Sequence, residues 1–109
     1  MFEKELCEYL ANHGYWVHFI TPDARGAQPF DIIAVKNGRA VAIDCKTSSK
    51  ASISIGRLEE NQKSAFDLWL ACGNSMPQIA VKYNGRLFFV PYEELKKGTV
   101  KLTGEGIEL

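Results

Sequence analysis

Asp31, Asp44 and Lys46 are the residues of this sequence whose types and spacing can do chemistry. An apolar run, Ile32-Ile33-Ala34-Val35, opens on Asp31; beyond Asn37-Gly38 a second run, Ala40-Val41-Ala42-Ile43, ends in Asp44-Cys45-Lys46. Side chains alternate along a strand, so Asp44 and Lys46 project to the same side. Asn-Gly is the strongest short hairpin signal, because both central residues of a type I′ turn take positive φ. Folding at that turn brings the start of the first strand beside the end of the second, and Asp31 beside Asp44. Two carboxylates and an ammonium then converge at one edge of a small sheet. Unpaired buried charge is costly, so strands this apolar gather three charges only for a reason. The chemistry suggested is a divalent-metal site of carboxylate oxygens with an adjacent cation. Ala40 and Ala42 share the face of Asp44 and Lys46 and leave room there.

The elements around the hairpin follow from periodicity. Residues 3 to 13 form a helix, with Leu6, Tyr9, Leu10 and His13 near one face and Gly14 to end it. A strand from Tyr15 to Ile20 stops at Thr21-Pro22-Asp23, and Ala24 to Pro29 is a loop. After the hairpin, the polar stretch Thr47 to Ser54 leads out of the sheet across the face that carries the acids. Leu58 to Cys72 is a second long helix, with Leu58, Gln62, Ala65, Phe66, Trp69 and Leu70 in one stripe. Gln78 to Tyr83 and Arg86 to Val90 make another hairpin around Asn84-Gly85; Tyr92 to Lys97 is a short helix, and the tail from Lys101 adds an edge strand. The order α-β-β-β-α-β-β suits an α/β domain with one mixed sheet and helices packed on it.

Composition bounds the rest. A chain of 109 residues, 46% apolar and 24% charged, is one ordinary globular domain. No apolar run reaches the roughly 20 residues of a membrane span, and the N-terminus has a charged helix pattern, unlike a signal peptide. Cys7, Cys45 and Cys72 lack a CxxC spacing and sit in apolar patterns, as reduced core cysteines of a cytoplasmic protein do. Net charge is zero, with 13 basic and 13 acidic residues, which speaks against a nucleic-acid binder that is basic all over. The distribution is uneven, however. Arg25, Lys36, Arg39, Lys46, Lys50 and Arg57 stand against only Asp31 and Asp44 between positions 25 and 57. A local basic face is compatible with that balance, with modest, salt-sensitive affinity.

Pro29-Phe30-Asp31 followed by Asp44-Cys45-Lys46 resembles the paired motif of the PD-(D/E)xK nuclease superfamily. Glu3-Lys4-Glu5-Leu6, Leu10 and His13-Gly14-Tyr15 resemble the first helix of archaeal-type Holliday junction resolvases, which opens on a metal-site glutamate and ends in Gly-aromatic before a strand. Ser54-Ile55-Gly56-Arg57-Leu58, the helix to Gly73 and the two strands after it continue the same order, which RecU-like resolvases of bacteria and phages share. The similarity covers roughly residues 2 to 95. It implies a restriction-endonuclease-like domain over residues 1–109, with a mixed β-sheet flanked by helices. It also implies a Mg²⁺-dependent DNA endonuclease, with Mn²⁺ as a substitute: a Holliday junction resolvase that cuts four-way DNA junctions as a homodimer in recombination and repair. A VRR-NUC-type or other small structure-specific nuclease, and a catalytically silent DNA-binding module of the same fold, are the alternatives.

By the same resemblance, Asp31, Asp44, the backbone carbonyl of Cys45 and Glu3 hold the metal. Lys46 holds or activates the water, or stabilises charge on the phosphorane, and Gln62 orients the site or touches the substrate. Asp44 stands where a glutamate is commoner, so its shorter reach implies a tighter site. Glu5 and Glu8 are solvated. Thr47, Ser48 and Lys50, with Arg25 and Arg57, are candidate contacts to the DNA backbone. His13 and His18 lack an acid or cysteine partner and read as structural. Trp16, Phe19, Phe66, Trp69, Phe88 and Phe89 read as core, with Trp69 or the Phe88-Phe89 pair as candidate apolar surface for a two-fold interface.

Overall fold

In the computed structural model, which describes residues 1–21 and 28–109, the two Asn-Gly turns set the register of the sheet. Asn37 and Gly38 take φ of 53° and 76°, and Asn84 and Gly85 take 53° and 73°, the left-handed values a two-residue type I′ hairpin needs. The first turn joins β2 (Ile32–Lys36) to β3 (Arg39–Ser48), and the second joins β5 (Gln78–Tyr83) to β6 (Arg86–Pro91). Between the hairpins the chain crosses over through α2 (Glu60–Ala71), so that β3 and β5 pair in parallel. β1 (Trp16–Phe19) lies antiparallel to β2, and β8 (Ile107–Glu108) closes the other edge against β6. Among the described residues the resulting mixed sheet has six strands in the order β1-β2-β3-β5-β6-β8. The edge strand expected from the tail is therefore present. Its approach is tight: Gly106 has φ +66°, and a Cβ there would lie 2.8 Å from the Phe88 ring.

Alternation along β2 and β3 divides the apolar residues between two cores. Ile32, Ala34 and Ile43 face α1 (Phe2–Asn12), where they pack with Phe2, Leu6 and Leu10. Ile33 and Ala42 face the other way, toward Phe66 of α2 and Tyr92 and Leu95 of α3 (Tyr92–Lys97). Phe30 is buried on that second side, stacked on Phe66 at 5.9 Å and edge-on to Trp69 at 5.7 Å. The aromatic just before Asp31 thus anchors the entry to β2 against α2.

The structure corrects several expectations. Thr47 and Ser48 do not leave the sheet; they continue β3 and pair with Lys82 and Tyr83. The chain turns only after Ser48 and forms β4 (Ser52–Ile53), which pairs with β7 (Val100–Lys101) in a separate two-stranded sheet. The second helix begins at Glu60 instead of Leu58, because a 3₁₀ turn over Ile55–Arg57 precedes it. Leu58 is buried all the same. His13 is exposed beyond the end of α1, and Cys72 is exposed at the end of α2. Trp16 and Phe19 are not core: they are 63% and 37% exposed, because β1 is an edge strand with no described strand on its outer side. Ala42 leaves no open room: it is fully buried, in the same core cluster as Phe30 and Phe66. No described helix is long and apolar enough to cross a membrane.

Candidate active site

The hairpin register brings Asp31 and Asp44 together as the sequence predicts. Ile32 pairs with Ile43, and Asp31, one residue before β2, donates its backbone N–H to the Ile43 carbonyl at 3.1 Å. Asp31 Oδ2 accepts the backbone N–H of Cys45 at 2.8 Å, which fixes its carboxylate against the end of β3. In an antiparallel ladder a residue turns its N–H and C=O to the same neighbour. The Cys45 carbonyl therefore also faces the side of Asp31.

Asp44 is fully buried. Its Oδ1 accepts Nε2–H of Gln62 at 2.8 Å, and its Oδ2 lies 3.1 Å from Lys46 Nζ. That approach is an ion pair by distance but not a directed hydrogen bond, and Oδ2 receives no hydrogen bond from the described residues. Burial is the largest influence on this carboxyl, followed by the charge of Asp31; together they push it from the ordinary 3.8 up to about 7, against the opposing pull of Lys46.

Gln62 is the joint between helix and strand. Its Oε1 accepts the backbone N–H of Glu59 at 3.0 Å, the reach-back half of a capping box at the start of α2, and it accepts Lys46 Nζ at 3.3 Å. One amide thus holds Asp44, Lys46 and the helix N-terminus. The stripe spacing put Gln62 on the inner face of the helix; its three partners come only from the fold. Two further contacts had no sequence signal. Gln28 Nε2 donates to Asp31 Oδ1 at 3.4 Å, and Asn61 Nδ2 donates to the Gln28 carbonyl at 3.0 Å, tying the approach to Asp31 onto α2.

The other expected residues fall around this centre. Glu3 is half-buried in the first turn of α1, and its charge is felt at the Cys45 and Cys7 thiols, on the opposite face of the sheet. Among the described residues no three His, Cys, Asp or Glu side chains are gathered as a metal-binding group, so Glu3 stands outside the pair of Asp31 and Asp44. The Cys45 thiol is pushed up by burial and by the charges of Asp31, Asp44 and Glu3, so it stays protonated and offers the site only its backbone. Glu5 is not merely solvated: it forms a 2.7 Å ion pair with Lys82, which lowers its pKa. Glu8 is exposed.

Beyond Lys46, Arg57 Nη2 donates to the Thr47 carbonyl at 2.9 Å. The Ser48 hydroxyl closes the turn by bonding Lys50 and Ser52. Ser48, Lys50, Ser52, Ser54 and Arg57 line a cavity of about 310 Å³ next to the end of β3. Arg25 lies outside the described residues. Lys36 and Arg39 do not join a basic face here; they border a different cavity with Leu10, Ala34 and Ile43, on the side of α1. His18 is exposed and stacks on Trp16.

The donor set fits a hard divalent cation. Asp31, Asp44 and the Cys45 carbonyl are all oxygens, the thiol faces away, and Asp44 Oδ2 is a buried carboxylate oxygen without a hydrogen bond. A site with only two carboxylates leaves positions for water and phosphate oxygens, as Mg²⁺ requires.

A mixed sheet with helices on both faces, and two acids and a lysine meeting at the end of its central hairpin, defines a restriction-endonuclease-like α/β domain. The model of the archaeal Holliday junction resolvase (Hjc) family matches residues 1–109, and the chain belongs to that family. It is 29% identical over 89 residues to the crossover junction endodeoxyribonuclease Hjc of Methanocaldococcus jannaschii, a match over 82% of this chain and 62% of that protein. The chain therefore aligns to less than two thirds of that relative. The solved structure of Hjc from Archaeoglobus fulgidus, a Holliday junction resolvase of an archaeal hyperthermophile, superposes with a TM-score of 0.70. It covers 99% of this chain and 92% of its own at 18% identity, a likeness of fold.

Proposed function

We propose that this protein is a metal-dependent DNA endonuclease, a Holliday junction resolvase that cuts four-way junctions as a homodimer. The observation that carries the reading is the cluster of buried Asp44 with half-buried Asp31 and Lys46, in which Asp44 Oδ2 is left without a hydrogen bond. Membership of the resolvase family over the whole chain supports the substrate. Asp31, Asp44 and the Cys45 carbonyl would hold Mg²⁺ or Mn²⁺, with water and phosphate oxygens in the remaining positions and Glu3 outside this set. The ion would neutralise phosphoryl charge and make a bound water easier to deprotonate.

Each residue of the cluster has a part in that chemistry. The Cys45 N–H keeps Asp31 turned toward Asp44, and Gln62 keeps Asp44 Oδ1 engaged so that Oδ2 is the oxygen left to bind. Lys46, held between Asp44 and Gln62, would set its positive charge against the negative charge that develops on the phosphorane, and can orient the attacking water. Thr47, Ser48, Lys50 and Arg57, with Arg25, contact the DNA backbone, the cavity beside β3 supplying hydroxyls and two cations. The two-fold partner docks on α2 around Leu68, which is 66% exposed there. Trp69, by contrast, is half-buried against Phe30.

Labelled four-way junction, linear duplex and single-stranded DNA incubated with Mg²⁺, Mn²⁺ or EDTA test this, with Lys46→Ala as the blank. Paired, metal-dependent nicks at the junction are expected, and none from Lys46→Ala. Cleavage of linear DNA with the junction spared moves the protein to another branch of the nucleases. No cleavage of any substrate leaves a DNA-binding module of the same fold.

A further inference from the structure

The strand at the open edge of the sheet carries a feature the cleavage chemistry does not use. Trp16 is 63% exposed, and its ring lies nearly parallel to that of His18, at 9° with 6.1 Å between centroids. Pairing shows which way the two rings face. Trp16 is opposite Val35 and His18 opposite Ile33 on β2, and these are opposite Ala40 and Ala42 on β3. Residues directly across a ladder share a face, as do residues two apart. Trp16, His18, Ala42, Asp44 and Lys46 therefore all lie on one face of the sheet. With two-residue steps of about 6.7 Å and strands about 4.8 Å apart, the His18 and Trp16 backbones are roughly 8 Å and 14 Å from Asp31. At about 3.4 Å per stacked nucleotide, that is a span of only a few nucleotides.

We propose that the Trp16–His18 ring pair is a stacking platform for an unpaired nucleobase at the branch point of the DNA that the carboxylate cluster cleaves. The inference rests on the nuclease reading above and adds to it the part of the substrate that is held. The exposed, parallel rings offer flat π-faces, which match a nucleobase better than they match an aliphatic side chain. Among the described strands β1 is outermost, and Trp16 on it is 63% exposed. Bases within a linear duplex are stacked on each other and cannot reach it; a branch point is where a base can leave the stack. The pair would then favour junctions over linear DNA without reading sequence.

The test uses a four-way junction with 2-aminopurine at the branch point, bound in EDTA so that nothing is cut. With wild type, the aminopurine emission changes as the base transfers to the platform. Trp16→Ala should weaken junction binding about tenfold and abolish that change. Trp16→Phe should recover most of both, and binding to linear duplex should be the same for all three. Equal affinity and equal emission change in wild type and Trp16→Ala overturn the platform. Loss of the dimer in Trp16→Ala, seen by mass in solution, also overturns it, because a second copy then covers the rings. Parallel cleavage by wild type in Mg²⁺ separates this failure from that of the nuclease reading. Junction cleavage with no effect of Trp16→Ala sinks only the platform; a wild type that neither binds nor cuts junctions sinks both.

Discussion

Replacing Asp44 by Asn should change how stability depends on pH in the metal-free protein more than it changes stability at any single pH. Asp44 is fully buried, and burial with the neighbouring Asp31 charge raises its carboxyl to about 7, Lys46 opposing. In the unfolded chain it returns to the ordinary 3.8. Between these values the native state holds a proton that the unfolded state has released, so stability falls as pH rises. The penalty is absent below about pH 4 and complete above about pH 7, and a rise of roughly 3 units corresponds to about 4 kcal/mol. Asparagine carries no such term. Its amide meets Lys46 and Gln62 with one donor misplaced, which costs on the order of 1–3 kcal/mol at every pH. The variant should therefore start below wild type at pH 4.5 and gain on it steadily to pH 8. At about 4 °C per kcal/mol for a domain of this size, the difference in Tm should move by on the order of 10 °C across that window. Thermal unfolding followed by circular dichroism in EDTA, for both proteins at half-unit pH steps, reads this directly. Parallel Tm curves would refute the reasoning, since they would mean that Asp44 is charged throughout or already neutralised. Adding Mg²⁺ at pH 8 should then raise Tm for wild type and leave Asp44→Asn unmoved.

Four other outcomes follow from the same contacts. Gln62→Leu removes the partner of Asp44 Oδ1 and the acceptor for Glu59 N–H, so urea unfolding should show a loss of about 2–3 kcal/mol, with cleavage down more than about tenfold. Phe66→Ala opens the core between α2, Phe30 and Tyr92, and the same measurement should show a loss of about 3–5 kcal/mol. Leu68→Arg, at an exposed position, should leave unfolding within about 0.5 kcal/mol while converting dimer to monomer by light scattering; an unchanged mass places the interface elsewhere. Arg57→Ala should weaken binding to junctions of any sequence equally and lower the slope of log affinity against log salt by about one.

What was legible in the sequence is what local rules control. Asn37-Gly38 and Asn84-Gly85 are turns whose φ values only a few residue types accept, so both hairpins and their register followed from four residues. Once that register is known, Asp31 must face Asp44, and strand alternation puts Lys46 beside it. The misses share a cause: they depend on what lies next to an element, which periodicity does not report. Trp16 and Phe19 have the pattern of a buried strand, and only the sheet order, with β1 outermost, shows that they are open. Thr47 and Ser48 are polar, yet they stay in β3 because β5 pairs with them in parallel from across the chain. Glu3 has the composition of a first-turn acid whichever way its helix is rotated, and the rotation is decided by Phe2, Leu6 and Leu10 seeking the sheet.

Gln62 shows why site and fold are hard to separate in so small a domain. The same Oε1 that completes the N-terminus of α2 also accepts Lys46, while the amide nitrogen holds Asp44. The crossover helix is therefore docked onto the sheet partly through the Asp44–Lys46 cluster, next to the apolar contacts of Phe66 and Phe30. A substitution that disturbs the cluster should loosen the start of α2, and one that frays the helix should let Lys46 and Asp44 drift. Hydrogen exchange can tell these couplings from simple global destabilisation. In Gln62→Leu the amides of the first turn of α2 should lose protection before those of β5 and β6, whereas in Phe66→Ala all should fall together. Uniform loss in both variants would mean that Gln62 serves the core alone and that the cluster does not help to seat the helix.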